Sequence, residues 1–269
     1  IRRIDPVTSR VATVIGTGEY GCTGDGGPAS KATIVGGDFV FDARGNIYLT
    51  EAADETTKCL GAIRRVDVAS GLINTMALVG VPTGFSPGAL AIDAKGNLYT
   101  FDEKNFQIFR IDAKPLADGR FQATAIAGVA GKQGDYTASG DGGPAALARL
   151  SFVRGLALDA DGNLYLADRG NNRIRRIDTT GVISTVAGNG TFSSAGDNGP
   201  AVRASLRGPD SVTNDAAGNL FIVEADGDRI RRIDRALGTI TTVAGTGRRG
   251  YRGEGGPALE AWIDQPNGG

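Results

Sequence analysis

The sequence of 269 residues contains no histidine, and it has only two cysteines, one tryptophan and one methionine. The absence of histidine excludes imidazole as a general base and as a metal ligand. No run approaches 18 apolar residues, so no membrane-spanning helix is predicted. The formal net charge of −1 gives no sign of the basic surface that nucleic-acid binders present. The composition therefore argues against histidine-dependent catalysis and against a nucleic-acid partner.

Glycine is abundant instead, with 42 residues that recur at fixed offsets. The clearest unit, residues 155–188, contains four short runs, LALD, NLYLAD, RIRRID and ISTVA, separated by Gly, Asn and Thr. Short runs rich in Ile, Leu, Val and Tyr between such residues are typical of strands joined by tight turns. Each unit is therefore predicted to be a four-stranded antiparallel meander.

Such a sheet has two apolar faces, and copies stacked radially bury both of them. The sequence therefore predicts an all-β fold, a β-propeller of four-stranded antiparallel blades. A solenoid is the alternative, but four antiparallel strands per unit fit blades better. The predicted blades lie at about 37–80, 88–128, 155–188 and 211–245, with a half blade at 1–15.

The repeated pattern D-x-x-G-N-L-Y, followed by R-I-R-R-I-D, T-V-A-G and G-D-G-G-P-A, resembles the NHL repeat family, particularly its bacterial secreted-type members. The resemblance covers essentially the whole chain and implies a six-bladed ring. We therefore expect these blades to belong to a longer chain or to be completed by a neighbouring one. NHL propellers serve as lyases, RNA binders, sensor domains and adhesion modules, so the resemblance alone does not assign a function.

Four glycine-rich connections carry an acidic residue at the same place. One interpretation is a loop face that binds a ligand or a hard cation such as Ca²⁺ through these carboxylates. The other, which we favour, is that each acid hydrogen-bonds the backbone of its own turn, because one carboxylate per loop is too few for a metal. No metal site or other cofactor is predicted. The candidate binding residues are Asp25, Asp141, Asp197 and Glu254.

Paired arginines recur in the third strand of most units. They could form a basic rim for an anion, but the acids of the same repeats nearly balance their charge. We therefore predict structural ion pairs, Asp168 with Arg173 and Glu224 with Arg229.

The two cysteines lie in connections that a propeller meander places on one face. Cys22 precedes the first full blade, and Cys59 lies between the second and third strands of that blade. A disulfide between them is predicted, with two free thiols as the alternative. A disulfide would indicate an oxidising compartment, extracellular or periplasmic.

Together these features predict a non-catalytic extracellular or periplasmic NHL propeller that serves as a binding, scaffold or assembly module. Its partners would be a protein, a glycan or neighbouring copies of itself. The alternative is a propeller lyase or hydrolase with a carboxylate-held metal at the central channel. The resemblance to the NHL family implies lyases that rely on histidine, which this sequence lacks. The residues available for such a metal are Asp93, Asp159, Asn214 and Asp215.

Overall fold

The computed structural model describes residues 1–134, 137 and 139–267. Two compact units are distinguished, one formed by residues 1–104 with 110–124 and the other by residues 105–109 with those from 125 onward. Every long element is a strand. No helix among the described residues is long and apolar enough to cross a bilayer.

The first unit begins with a two-stranded sheet and then a complete antiparallel blade. The two-stranded sheet pairs β1 (Arg2–Ile4) with β2 (Val11–Thr13). The blade has the order β3-β4-β5-β6. Its strands are β3 (Phe39–Phe41), β4 (Ile47–Glu51), β5 (Ala62–Val66) and β6 (Ile73–Thr75).

The next sheet has the order β7-β11-β10-β9-β8, and the boundary between the two units falls within it. Its strands are β7 (Leu78–Val79), β8 (Pro87–Ile92), β9 (Leu98–Asp102), β10 (Gln107–Ile111) and β11 (Phe121–Ala127). The extra strand β7 runs parallel to β11, with Leu78 opposite Phe121. Residues 78–79 were predicted at the end of the preceding blade, so here the structure differs from the sequence interpretation.

The second unit contains two further complete blades, ordered β12-β13-β14-β15 and β16-β17-β18-β19. The strands are β12 (Val153–Leu158), β13 (Leu164–Asp168), β14 (Arg173–Ile177), β15 (Ile183–Ala187), β16 (Pro209–Asn214), β17 (Leu220–Glu224), β18 (Arg229–Ile233) and β19 (Ile240–Ala244). Short 3-10 helices follow the glycine-rich motifs, as at Ala145–Leu147 and Ala201–Arg203. The predicted all-β fold with four antiparallel blades is confirmed.

The blades of the second unit share one apolar core. Ile174 on β14 and Ile222 on β17 are fully buried in the same cluster, together with Leu206 from the connection between the two blades. Two sheets that bury their faces against each other are the arrangement of a β-propeller. In the first unit, Ile15, Leu49 and Ile73 form a separate buried cluster.

The D-x-x-G-N segment forms the turn between the first and second strands of each blade. In the third blade Asp159 Oδ1 accepts the backbone N–H of Asn163 at 2.8 Å, and Asp159 Oδ2 accepts the Asn163 Nδ2 at 2.8 Å. Gly162 adopts φ +86°, which favours glycine. Asp93 and Asp215 hold their turns in the same way. Three of the residues considered for a channel metal are thus engaged in turns, and Asn214 is the last residue of β16.

Candidate functional site

A fully buried arginine on the third strand organises the loop side of the third blade. Arg175 donates from Nε to Asp141 Oδ1 at 3.1 Å and from Nη2 to the same oxygen at 2.7 Å. Its Nη1 lies 3.5 Å from Asp168 Oδ2. The backbone carbonyls of Ser139 and Arg149 accept further hydrogen bonds at 3.3 and 3.2 Å. The guanidinium therefore joins the preceding loop to the blade.

The same arrangement recurs in the first and fourth blades. Arg64 is paired with Asp25 at 2.8 Å and with Glu51 at 3.2 Å. Arg231 is paired with Asp197 at 2.7 Å and with Glu224 at 3.1 Å. We call each set an arginine socket, meaning one buried arginine, one loop acid and one acid at the end of the second strand. The members of the three sockets are Arg64, Asp25 and Glu51; Arg175, Asp141 and Asp168; and Arg231, Asp197 and Glu224.

The loop acids also bind the outer strand of the following blade through their second oxygen. Asp25 Oδ2 accepts the backbone N–H of Thr75 at 3.0 Å, and Asp197 Oδ2 accepts the hydroxyl of Thr242 at 2.6 Å. Partial burial acts to raise the pKa of both carboxyls, but these hydrogen bonds and the arginines bring each pKa below its ordinary value. Glu254 occupies the equivalent place in the last motif and is exposed.

The second blade shows that loop and arginine belong together. Phe109 occupies the socket position on β10, and the connection that precedes this blade lacks the G-D-G-G-P-A motif. An arginine buried there without a loop acid would be poorly compensated. The loop acid and the buried arginine are present together in three blades, and both are absent from the second blade. This co-occurrence was visible in the sequence and is the signal by which the sockets could have been found.

The sequence analysis predicted ion pairs of these acids with Arg173 and Arg229, each of which lies two residues before the buried arginine of its strand. Asp168 lies opposite Arg173 in the strand register, and Glu224 lies opposite Arg229. Each acid has an ion pair with the buried arginine of its own blade. The side chains of Arg173 and Arg229 donate to backbone carbonyl groups of the turns and connections nearby.

Asp168 is the most perturbed carboxyl of the sockets. It is fully buried, and desolvation raises its pKa to about 6, although Asn171 and Arg175 act in the opposite direction. A carboxyl whose pKa is higher in the folded state than in the unfolded state binds more protons when folded. Its contribution to stability is therefore present below pH 4 and is lost as the pH rises towards 6.

This linkage gives a pH prediction. We expect the free energy of unfolding of the unmodified protein, relative to that of an Asp168→Asn variant, to fall by about 2 kcal/mol between pH 4 and pH 7. Urea denaturation of both proteins at the two pH values would measure it. A difference that stays constant, or that grows with pH, would contradict the assignment.

The disulfide between Cys22 and Cys59 is formed, with a Cα–Cα distance of 5.8 Å, as predicted. It joins the loop before the first blade to the turn between β4 and β5. Among the described residues, no group of three or more His, Cys, Asp or Glu could hold an ion.

A small pocket in the second unit contains groups that sequence reasoning missed. It has a volume of about 350 Å³ and is lined by Phe152, Phe192, Arg154 and Arg169, among others. The side chains of Phe152 and Phe192 are 46% and 56% exposed. Phe106 packs edge to face on Phe152, with ring centroids 6.4 Å apart. We call Phe106, Phe152, Phe192 and Arg154 the Phe152 surface.

Backbone conformation distinguishes this surface. Phe152 has φ +48° and Phe106 has φ +56°, a region that bulky residues seldom adopt. Phe152 immediately precedes the first strand of its blade, and the equivalent residue of the fourth blade is Gly208, at φ +60°. The third blade therefore places a large exposed ring where the fourth blade has the residue that this conformation favours.

The pocket is also lined by charged side chains that are paired with one another. Arg169 donates to Asp210 at 2.5 Å and to Asp226 at 2.6 Å, so its guanidinium is held between two acids. The guanidinium of Arg207 lies 5.2 Å from the ring centroid of Phe192. Exposed aromatic rings beside arginines are the composition that protein interfaces favour. The arrangement can bind a partner.

Comparison with known proteins identifies the family. The family model for the Teneurin NHL domain matches residues 11–195. Teneurin-m of Drosophila melanogaster is 35% identical over 97 residues, which are 35% of this chain and 4% of that protein. Mouse Teneurin-1 is 26% identical over 198 residues, 68% of this chain and 7% of that protein. The chain thus spans only a small part of these teneurins.

A solved structure supports the fold. A protein of unknown function from Bacteroides thetaiotaomicron is 21% identical and has a TM-score of 0.67, covering 99% of this chain and 57% of that one. This similarity concerns architecture alone. The matched residues run from the first two-stranded sheet into the connection after the third blade, and they include two of the three arginine sockets. The chain therefore belongs to the Teneurin NHL domain family.

Proposed function

We propose that this domain is a non-catalytic binding module that acts outside the cytoplasm and recognises a protein or glycan partner, or another copy of itself, through the Phe152 surface. The proposed role requires no resident cofactor. The net charge of −1 favours such partners over nucleic acid. The family assignment is consistent with this role, because NHL propellers commonly serve as interaction domains.

One observation carries the proposal. Phe152 holds a large ring in solvent from a left-handed backbone position that is glycine in the fourth blade. A left-handed conformation costs a non-glycine residue about 1–2 kcal/mol, and strained residues concentrate where ligands bind. In the free domain the partial burial of the Phe152 ring offsets only part of this conformational cost. Contact with a partner would bury the ring further and explains why it is there. Phe106, which is half-buried, packs edge to face on the same ring.

The acids of the arginine sockets and of the D-x-x-G-N turns support a non-catalytic role. The loop acids of three sockets are paired with buried arginines, and the acids of the D-x-x-G-N segments hold turns. Carboxylates with such fixed partners are poorly placed to exchange protons with a substrate. The disulfide supports a location outside the cytoplasm, because cytosolic thiols are kept reduced.

The test is a binding experiment with a double variant, Phe152→Gly with Phe192→Ala. The labelled domain would be applied to arrays of extracellular protein domains and of glycans, and every ligand bound by the unmodified domain would be titrated. We expect the variant to bind at least about tenfold more weakly, since central aromatic side chains contribute most of an interface's energy. Leu237→Ala, an exposed apolar residue in a turn of the same unit, is the matched control.

The double variant should remain folded, because glycine tolerates the conformation at position 152. Its free energy of unfolding should lie within about 1 kcal/mol of the unmodified value. Equal affinities of the double variant and the Leu237→Ala control would refute the assigned surface. Absence of any bound protein, glycan or second copy would refute the function.

A further inference from the structure

A cavity in the first unit lies beside the D-x-x-G-N turns of the first two blades. We call it the Phe41 groove; it has a volume of about 620 Å³ and shares no residue with the Phe152 surface. Its apolar lining includes Phe41 at the end of β3, Ile92 at the end of β8 and Phe121 at the start of β11. The side chain of Phe41 is 56% exposed, and Phe39 packs edge to face on it. Exposed apolar surface within a groove is typical of an interaction site.

The corresponding turns of the second unit are joined by an ion pair. Asp161 belongs to the D-x-x-G-N turn of the third blade and accepts a hydrogen bond from Arg235 Nη2 at 3.0 Å. Arg235 follows the third strand of the fourth blade, and its side chain lies against Gly218 in the first turn of that blade. The arginine therefore reaches across the space between the two turns and links one blade to the next.

In the first unit both positions of this pair carry other residues. Arg44 stands two residues after the aspartate of its turn, as Asp161 does in the third blade. Ala113 lies against Gly96 in the second blade, which is the place that Arg235 takes in the fourth. Both Arg44 and Ala113 line the Phe41 groove. The link that spans the space in the second unit is thus replaced by a cation and a methyl group, and the groove stays open.

A longer turn forms one side of the groove. In the fourth blade the N–H of Asp234 donates to the carbonyl of Thr239, and in the second blade the N–H of Asp112 donates to the carbonyl of Gln122, both at 2.9 Å. Residues 113–121 lie between the bonded residues of the second blade, against residues 235–238 in the fourth. Pro115 and Phe121 of this longer segment line the groove, and the residue that corresponds to Phe121 in the fourth blade is a glycine. Insertions in surface connections often carry binding residues.

The groove also contains two cations that are available to a ligand. Arg44 and Lys95 line it, are exposed, and make no side-chain hydrogen bond or ion pair with any residue that the structure describes. Arg65, the third cation of the lining, is already paired at 3.0 Å with the aspartate that follows β5. The two carboxylates of the lining, Asp42 and Asp93, accept the side-chain amides of the asparagines in their own turns at 2.7 and 2.8 Å. Positive charge without a fixed partner therefore lies beside apolar surface.

We propose that the Phe41 groove binds an acidic peptide segment of a partner protein, with an apolar side chain against Phe41 and Phe121 and carboxylates at Arg44 and Lys95. Exposed ion pairs contribute little by themselves, so the apolar contact supplies the larger part of the affinity. A peptide is the appropriate class because an extended strand carries acidic and apolar side chains on one face at a spacing of two residues. The site is separate from the Phe152 surface, and the inference stands without the proposed function.

The probe is the synthetic pentapeptide Glu-Gly-Leu-Gly-Glu with blocked termini, whose three side chains lie on one face when it is extended. It would be titrated into the ¹⁵N-labelled, disulfide-bonded domain at low ionic strength. We expect saturable shifts of the backbone amides of Arg44, Lys95 and Phe121. Replacing both glutamates by glutamine, or the leucine by serine, should weaken binding at least about tenfold. Added salt should also weaken binding of the acidic peptide, because it screens exposed charges.

The decisive variant copies the link of the second unit into the first. Arg44→Asp/Ala113→Arg places the acid and the arginine as Asp161 and Arg235 are placed, and it should weaken peptide binding at least about tenfold. Arg44→Gln/Lys95→Gln removes the two cations without adding a link and should have a similar effect. Lys114→Gln is the matched control, because Lys114 is exposed in the same turn but does not line the groove. It should bind as the unmodified domain does.

Three results would overturn the inference: no saturable shifts with the unmodified domain, equal binding of the leucine and serine peptides, or normal binding by either double variant. A hyaluronan tetrasaccharide, titrated in parallel, supplies carboxylates without an apolar side chain. Tighter binding of this glycan than of the peptide would assign the groove to acidic glycans and would also overturn the inference. None of these outcomes depends on the result obtained with the Phe152 surface.

Discussion

Replacing Arg175 by methionine is expected to lower the free energy of unfolding by about 3–5 kcal/mol, because removal of one partner leaves a buried charge uncompensated. Asp168 would lose its ion pair with Arg175, and Asp141 would no longer connect the loop to β14. Methionine retains an unbranched apolar stem, so the loss reports mainly on charge and hydrogen bonding. Urea denaturation monitored by far-ultraviolet circular dichroism would measure it.

The control for this experiment is the neighbouring residue. Arg176 lies on the same strand, points to the opposite face and is only half-buried. Arg176→Met should cost less than about 1 kcal/mol, as is usual for charges near the surface. Without Arg175, Asp168 can become neutral by taking up a proton at low pH. The decrease in the free energy of unfolding caused by Arg175→Met should therefore be smaller at pH 5 than at pH 8. Equal losses for the two arginines would show that the socket contributes no special stability.

Removal of the disulfide is expected to have the second large effect. Cys22 and Cys59 are separated by 37 positions, and a loop of this size predicts a loss of about 4 kcal/mol when the cross-link is removed. The Cys22→Ala/Cys59→Ala variant and the unmodified protein would be compared by urea denaturation without reductant. Adding reductant should destabilise only the unmodified protein.

A serine at position 22 provides an internal control. Cys22→Ser/Cys59→Ala also lacks the cross-link. Cys22 and Ser194 each stand three residues before the loop acid of their sockets, so a hydroxyl introduced at position 22 can donate to Glu51 as Ser194 donates to Glu224. It should therefore be about 1 kcal/mol more stable than the variant with two alanines. If the two double variants were equally stable, a hydroxyl donor at position 22 would not stabilise the buried carboxylate of Glu51.

The blades could be predicted because their determinants are local. The turn from Asp159 to Asn163 is specified by five consecutive residues and a glycine at positive φ. Strand β7 was missed because two residues carry no periodicity, and it exists only through pairing with β11. The disulfide was predicted from topology, because only the side of the sheet on which each connection lies was needed.

The arginine sockets were missed for the opposite reason. Local reasoning paired Asp168 with Arg173, the nearest arginine that follows the turn. The loop acid that binds Arg175 lies 34 positions before it, and no short-range pattern connects the two. The Phe152 surface was missed because its defining property is a backbone angle. Comparison of Phe152 with Gly208 was the only indication in the sequence, and it required the strand register to be known.

The sockets also bear on how such a chain could have grown by duplication. Each loop acid is useful only with the arginine of the strand that comes more than thirty residues later, and the second blade lacks both. A duplication that copied a blade from its first strand to its fourth would separate the acid from its arginine. The segment that can be copied or exchanged without burying an unmatched charge begins in the loop and extends through the third strand, so the genetic module is offset from the visible blade.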